Sequence, residues 1–496
     1  MKIKIYLIFA FCFSFIRTFA QGENDNWYFG ANASITFPNL NTTTALNNSQ
    51  MDAAEACGTA SDANGNLLFY CNSQTIWNRQ HQIMLNGAGL SGGISAQQLA
   101  IVKNPANANQ YYVFVTPELD TPISSTNSLS YSIVDMSLDP VVGASPLGAV
   151  LQNAKNIPVV NNFGSNFRSE AITVVAGSTP NSYWALIPSG NNLYSYRIDN
   201  NGFSNGSPVI SNLNLPVNLN GQYAYSIKAS PKLNNQNFSN YICISLWQDN
   251  TGSSTPQIID RVLSFNSSTG SITNNYSLNV NGRRAYLPEF NSNGSVLFLA
   301  NTAIFAIDLV NSTTANVNFM QIYNGQGGAE YTTLQRNKYG NIYVNRYGSS
   351  FLGIINNPNI YGSNMSVTMN SINLSTGKFS RYGLPQLIPD KPTSNPCIDS
   401  LTLTSEPNLT FNYEVANKIT TKDNYIIGSR HNITMKAGQS INLLPGTHMQ
   451  SGTNYHAYIA RCSRDNPTSK ISNANHNQKE MVLNLDMEER KALDKQ

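Results

Sequence analysis

Residues 290–309 read FNSNGSVLFLANTAIFAIDL and contain the pattern on which the predicted architecture rests. A turn at Asn291–Gly294 leads into the apolar strand Val296–Ala300, and a short break separates it from a second strand, Ile304–Leu309. An Asn-Gly pair between apolar runs is a strong hairpin signal, because both turn positions favour positive φ. The stretch therefore predicts a β-hairpin. The same sequence pattern recurs with variations along most of the chain.

The recurrence predicts a β-propeller. Each repeat holds up to four short strands, which is typical of one propeller blade. The fold class is therefore all-β, with six blades, or seven if the N-terminal strand Trp27–Phe37 completes a composite blade with Val367–Leu374 or Phe379–Ile388. A pair of β-sandwiches is disfavoured, because sandwiches need no such recurrence. The first strands of the repeats begin at Glu55, Gln98, Glu170, Ala224, Tyr286 and Tyr331, about 55 residues apart on average.

Residues 1–20 have the features of a secretory signal peptide. Lys2 and Lys4 precede an apolar run, and small residues near Ala20 favour cleavage there. The run is shorter than the roughly 20 residues that a membrane span needs. Loss of Lys2, Lys4 and Arg17 lowers the formal net charge from +3 to 0. We expect an exported chain with no membrane span and no nucleic-acid partner, because nucleic-acid binding needs clustered Lys and Arg.

Composition divides the mature chain into four parts. The propeller covers residues 21–388, and a proline-rich linker follows at 389–396. Residues 397–462 read as short strands punctuated by glycines, which predicts a small stacked β-domain. Residues 463–496 lose that pattern and are expected to form a flexible tail.

Five cysteines remain after cleavage, and an exported protein can form disulfides. Cys57 and Cys71 flank the turn at residues 64–65 symmetrically, so they are predicted to face each other across a hairpin and form a disulfide. Cys397 and Cys462 bracket the C-terminal domain and form the second predicted pair. Cys243 lies in an apolar run and is expected to be a buried free thiol.

Four glutamates lie at or beside the starts of first strands, which line the channel of a propeller. A ring of Glu55, Glu170, Glu289 and Glu330 would hold a cation such as calcium, or a basic ligand. The preferred interpretation is simpler: they are solvated strand ends, because two of the six repeats lack the glutamate. No other metal site or cofactor is predicted.

Other polar and aromatic residues have structural explanations. Asp135, Asp199 and Asp308 end third strands, where Asp is favoured because its carboxylate accepts hydrogen bonds from the turn backbone. The aromatic side chains large enough to stack on sugars are expected to pack between blades instead. These are Trp27, Trp77, Trp184 and Trp247.

Several segments of the sequence resemble segments of known protein families. Asn26–Gly30 (NWYFG), Ser61–Tyr70 (SDANGNLLFY) and Tyr131–Leu138 (YSIVDMSL) resemble the N-terminal propeller-like region of surface proteins exported by the type IX secretion system of gliding-type bacteria. Ile433–Gly446 (ITMKAGQSINLLPG) resembles the three-coathanger stack domain of the same proteins. The resemblance implies a secreted or outer-surface protein of a Gram-negative bacterium, and it supplies no catalytic residues.

The sequence therefore predicts an exported, non-enzymatic binding or adhesion protein. Its partner, a protein or a glycan of the cell surface, would dock on propeller loops, and no ligand-binding residue is identified. The alternative is a propeller-type hydrolase acting on glycans or lactones at the central channel, which needs paired carboxylates or a metal there. A third interpretation is a structural spacer without a ligand.

Overall fold

A computed structural model of the chain describes residues 22–39, 41–118, 128–167, 169–214, 222–233, 238–248, 258–279, 286–325, 331–389, 398–406 and 408–459. The predicted signal peptide, most of the linker, the tail, Glu330, Cys397 and Cys462 lie outside these residues. Within them, 36 strands (β1–β36) and two 3-10 helices, Gly22–Asn24 and Gln152–Ala154, are formed. None of these helices is long and apolar enough to cross a bilayer.

The N-terminal strands form a three-stranded antiparallel sheet, sheet N, and the next two repeats form sheets 1 and 2. Sheets 1 and 2 are joined by one parallel pairing between Leu85 and Ala149. Sheet N contains β1 Asn26–Phe29, β2 Ala33–Asn39 and β3 Thr42–Ala45; sheet 1 contains β4 Cys57–Ser61, β5 Leu67–Asn72, β6 Thr75–Asn78 and β7 Ile83–Ala88; sheet 2 contains β8 Leu99–Lys103, β9 Gln110–Val115, β10 Ser130–Asp135, β11 Ala149–Val150 and β12 Ile157–Pro158.

Four further antiparallel sheets, numbered 3 to 6, follow in chain order. Sheet 3 contains β13 Thr173–Ala176, β14 Tyr183–Ser189, β15 Asn192–Asp199, β16 Gly202–Phe203 and β17 Val209–Asn212; sheet 4 contains β18 Gln222–Ala229, β19 Asn240–Gln248, β20 Ile258–Asn266 and β21 Ser271–Asn279. Sheet 5 contains β22 Glu289–Phe290, β23 Val296–Ala300, β24 Ala303–Asp308 and β25 Phe319–Asn324; sheet 6 contains β26 Tyr331–Arg336, β27 Ile342–Arg346, β28 Phe351–Asn356 and β29 Ser366–Asn373.

The predicted repeats correspond to sheets 1 to 6. Their first strands begin at residues 57, 99, 173, 222, 289 and 331, each within three residues of the predicted start. The third strands β10, β15 and β24 end at Asp135, Asp199 and Asp308. The Oδ1 atom of each accepts a hydrogen bond from the backbone N–H two residues later, at 2.9, 2.8 and 3.0 Å. The predicted turn role of these aspartates is confirmed.

Apolar clusters between neighbouring sheets close the described sheets into a ring. Sheets 1 and 2, 2 and 3, 3 and 4, 4 and 5, and 5 and 6 each share one buried cluster. Sheet N packs on both ends of this series, because its cluster includes Tyr70 of sheet 1 and Tyr343 of sheet 6. The backbones of Ala31 and Phe379 exchange hydrogen bonds of 2.8 and 3.2 Å at this seam. Each sheet thereby buries both faces, which a single sheet in water cannot do.

Residues 381–388, here called the channel segment, run along the inner strands of the ring. Tyr382 N–H donates to Ala54 O at 3.0 Å, beside sheet 1. The Gln386 amide donates to Leu99 O of sheet 2 and to Ile172 O beside sheet 3, at 3.0 and 2.9 Å. The central channel is therefore occupied, at these positions, by the chain itself.

The predicted disulfide between Cys57 and Cys71 is wrong. A bulge at Leu68 shifts the β4–β5 register by one residue, so that Cys57 pairs with Asn72 and Gly58 with Cys71. A shift of one residue turns a side chain to the other face of its sheet. Cys57 packs towards sheet N and Cys71 towards sheet 2, and both are free, buried thiols, as is Cys243. Burial raises the pKa of both Cys57 and Cys71.

The C-terminal strands pair in parallel, and all but the first of them do so at an offset of 22 residues. Thr410 pairs with Asn432 and Asn432 with Asn454, an offset of 22 residues each time. The same offset joins Ile426 to His448. The strands are β30 Ile398–Leu403, β31 Thr410–Thr421, β32 Ile426–Ile427, β33 Asn432–Ala437, β34 Ser440–Leu443, β35 His448–Met449 and β36 Asn454–Ile459.

A pair of hydrogen bonds joins Asn24, which is 5% exposed, to the end of the channel segment. Its amide donates to Ile388 O at 3.0 Å and accepts from Ile388 N–H at 2.8 Å. We expect Asn24→Ala to lower the free energy of unfolding by about 1–3 kcal/mol, because both backbone groups lose their partners. Denaturant titration would measure this. Asn64→Ala, at an exposed turn, is the control and should change stability by less than about 0.5 kcal/mol; equal effects would contradict the role of Asn24.

Candidate functional site

The predicted glutamate ring does not form a metal site among the described residues. Glu289 is fully buried in β22, Glu170 is buried before β13, and Glu55 is half-buried before β4. No group of three or more His, Cys, Asp or Glu side chains in the described part of the chain is placed to hold a metal ion. Glu330 lies outside that part. The preferred interpretation, solvated strand ends, is wrong for Glu289, which is at the centre of an ionic cluster.

Glu289 joins sheets 4, 5 and 6 through two cations. Its Oε2 lies 2.9 Å from Lys228 Nζ and accepts the Arg336 backbone N–H at 2.7 Å. The Arg336 Nε atom lies 3.9 Å from Oε1, which accepts the Phe290 N–H at 2.8 Å. Lys228 also donates to Gln335 Oε1 at 2.7 Å. One carboxylate is thus shared by two cationic side chains.

Burial alters the titration of Lys228. Loss of solvent is the largest influence and lowers the pKa of this ammonium group, and the nearby Arg336 charge acts in the same direction. The Glu289 carboxylate acts in the opposite direction and only partly offsets the burial. Lys228 therefore loses its proton at a lower pH than an exposed lysine would.

Lys228 and Arg336 line a cavity of about 190 Å³ that is partly open to solvent. We call it the basic cavity, because its described lining includes Lys228, Lys232, Arg336 and Lys338 but no Asp or Glu. It lies where β18 and β26 end, beside β13 and the channel segment. The lining consists of residues 173–176, 228–232, 335, 336, 338, 386–389, Asn24 and Asn240.

The cavity also contacts the closing seam of the ring. Lys338, which follows β26, forms an ion pair with Asp25, which precedes β1. Burial raises the pKa of Asp25, and the contact with Lys338 lowers it by less. Asn24 and Ile388, which bond to each other, both line the cavity. The N-terminus, sheet 6 and the channel segment therefore meet at one wall.

The tryptophans are structural where they are described. Trp27 is buried between sheets N and 6, 5.5 Å from the Tyr343 ring. Trp184 is buried and donates to Ser267 O beside sheet 4 at 2.7 Å. Trp77 packs against the cluster of sheet N. The prediction that they pack between sheets is confirmed for these three, and the side chain of Trp247 lies outside the described residues.

The cations of the basic cavity were not identified from the sequence. A signal was present: in a chain with only 11% charged residues, two first strands end in paired basic residues. Lys228 and Lys232 occur at the end of β18, and Arg336 and Lys338 at the end of β26. Equivalent positions in two repeats lie at the same end of the inner strands, so this recurrence predicts a shared basic surface.

No protein-family model matches this sequence, and a comparison with curated proteins also finds no match. Among solved structures, the chain is similar to a putative 6-phosphogluconolactonase from Bacteroides uniformis, with 10% identity, 70% of this chain and 95% of that chain covered, and a TM-score of 0.39. It is also similar to the dihydro-heme d1 dehydrogenase NirN in complex with DHE, with 11% identity, 73% and 76% covered, and a TM-score of 0.35.

A third similar structure is the Dos1 propeller, with 12% identity, 57% of this chain and 94% of that chain covered, and a TM-score of 0.27. The all-β chain thus has propeller-like neighbours. The comparisons contradict the prediction that the chain is not an enzyme, because two of these neighbours are described as enzymes. That prediction was inferred from the fold and the lack of a recognised motif, and fold does not decide function.

We expect Glu289→Gln to lower the free energy of unfolding by about 3 kcal/mol, because two buried cations lose their shared carboxylate. Adding Lys228→Met to this variant should restore part of the loss, since one of the two cations is then removed. Asp423→Asn, in an exposed ion pair with Lys422, is the matched control and should have little effect. Denaturant titration of the four proteins gives the comparison; a neutral Glu289→Gln would contradict the shared-carboxylate arrangement.

Proposed function

We propose that this protein binds a small anionic molecule in the basic cavity, at one end of the central ring. The proposal rests on Lys228 and Arg336, two cationic side chains of the lining that share Glu289, so that among the described residues one of the two positive charges has no carboxylate of its own. Lys232 and Lys338 also line the cavity, where the charge of Lys338 is offset by its ion pair with Asp25. Buried charge is costly unless it is paired, and an anionic ligand would supply the pairing.

The wider arrangement is part of the proposal. Sheets N and 1 to 6 act as seven blades, which the continuous ring of apolar clusters supports. Residues 389–396 link them to the C-terminal region, whose 22-residue coils act as a stacked spacer. Residues 1–20 direct export, and the resemblance to type IX surface proteins favours the outer surface as the destination. The basic lining of the cavity is the reason for assigning the ligand there.

Calorimetric titration with glucuronate, glucose 6-phosphate and neutral glucose tests the proposal. Both anions should bind and glucose should not. Lys228→Met should weaken anion binding about tenfold, the effect of one charge-assisted hydrogen bond. Lys422→Met is the control, since this exposed lysine lies in the C-terminal region. Equal affinity for glucose and glucuronate, or equal behaviour of the two variants, would remove the proposal.

The pH dependence provides a second readout of the same titration. Anions bind the protonated form of Lys228, so affinity should fall as pH rises through the pKa of Lys228, which burial lowers from the ordinary 10.5. The Lys228→Met variant should lose this alkaline decrease, whereas Lys422→Met should retain it.

A second candidate function is hydrolysis of a sugar lactone in the same cavity. Cleavage of a glycosidic bond needs two carboxylates that flank the bond, and the described lining of the cavity has none. Lactone opening needs a group that polarises the carbonyl and a base for water. Arg336 can polarise the carbonyl, and the amine form of Lys228, which burial favours, can take a proton from water. Water then adds to the carbonyl carbon, the ring C–O bond breaks, and the proton passes to the ring oxygen.

Hydrolysis of glucono-1,5-lactone, followed by the acid released, tests this second candidate. The full chain should accelerate the reaction above its uncatalysed rate. Lys228→Met should abolish the acceleration while Lys422→Met preserves it. A rate equal to the uncatalysed one with the wild-type chain would leave binding as the function of the cavity.

A further inference from the structure

Asn240 places a hydrogen-bond acceptor without a donor at the basic cavity. The residue begins β19, lines the cavity and is only 3% exposed. Its amide Nδ2 donates to Ser230 O at 2.9 Å, which fixes the orientation of the side chain. Its Oδ1 accepts no hydrogen bond from any described residue. A buried carbonyl oxygen without a donor is costly, and such groups in folded proteins commonly mark the place of a water or ligand.

Arg336 provides the complementary atom. Its Nε is buried and has no hydrogen-bond acceptor among the described residues, since Glu289 Oε1 is 3.9 Å away. Two residues of the cavity lining therefore each have a buried polar atom without a hydrogen bond among the described residues, a cationic donor in Arg336 and a neutral acceptor in Asn240. The other polar side chains of the lining are less available: Thr173 donates to Gln386 at 3.0 Å, and Gln335 accepts from Lys228.

Given the proposed anion site, we infer that its ligand is a polyhydroxylated anion, in which one acidic group contacts Arg336 and Lys228 and a hydroxyl group donates to Asn240. A simple fatty acid would satisfy the cations but leave the Asn240 oxygen without a donor. A neutral polyol would satisfy Asn240 but leave the cationic charge unmatched. Asn240 is thus the specificity-determining residue of the cavity. The acidic group is a carboxylate or a phosphate, which the cations would bind by the same contacts.

Three ligands of six carbons separate the two requirements. Gluconate carries the charge and the hydroxyls, hexanoate carries only the charge, and sorbitol carries only the hydroxyls. Calorimetric titration of the full chain should give gluconate about tenfold higher affinity than either of the others. Sorbitol 6-phosphate then identifies the acidic group: tighter binding than gluconate assigns a phosphate, and weaker binding assigns a carboxylate.

Asn240→Leu, which keeps the approximate shape and removes the acceptor, should reduce gluconate affinity to that of hexanoate and leave hexanoate unchanged. Asn64→Leu, at an exposed turn, is the matched control and should retain the preference. If Asn240→Leu does not fold, the wild-type comparison of the three ligands decides alone.

The outcomes distinguish this inference from the proposed function. Equal binding of hexanoate and gluconate would overturn the hydroxyl requirement and leave anion binding intact. Equal binding of sorbitol and gluconate would overturn anion binding itself. Retention of the gluconate preference in a folded Asn240→Leu variant would overturn the assignment to Asn240.

Discussion

Face-to-face packing of the sheets is the constraint on which the rest of the structure depends. Each sheet has two largely apolar faces, and a ring is the arrangement in which each described sheet has a neighbour on both sides. Sheet N completes this ring, because its apolar cluster includes residues of sheets 1 and 6. Loss of that contact would expose the faces of two sheets at once.

Closure and the candidate site share the same residues. Asn24 forms two hydrogen bonds with the backbone of Ile388 at the seam, and both residues line the basic cavity. Lys338 of the cavity pairs with Asp25, which lies beside the first strand of sheet N. A ligand that binds the cavity would therefore bind the closed ring in preference to an open one, and a ligand selective for the folded state stabilises it. Binding of the proposed ligand would therefore stabilise the closed ring.

Local features of the sequence were predicted well because they depend on neighbouring residues. The starts of the six repeats and the turns after Asp135, Asp199 and Asp308 follow from strand and turn preferences. The disulfide prediction failed, because a bulge of one residue at Leu68 reverses the face of Cys57 relative to Cys71. Such a bulge is not visible in the spacing of the cysteines.

The all-β class, the repeats and their approximate bounds could be predicted from the amino-acid sequence, since they follow from short-range patterns of apolar and turn residues. The ionic cluster around Glu289 could not be predicted in this way. Lys228, Glu289 and Arg336 belong to three different repeats, and their charges meet only when the ring closes. Which side chains share a buried site depends on distances between sheets, and the order of residues along the chain does not encode those distances directly.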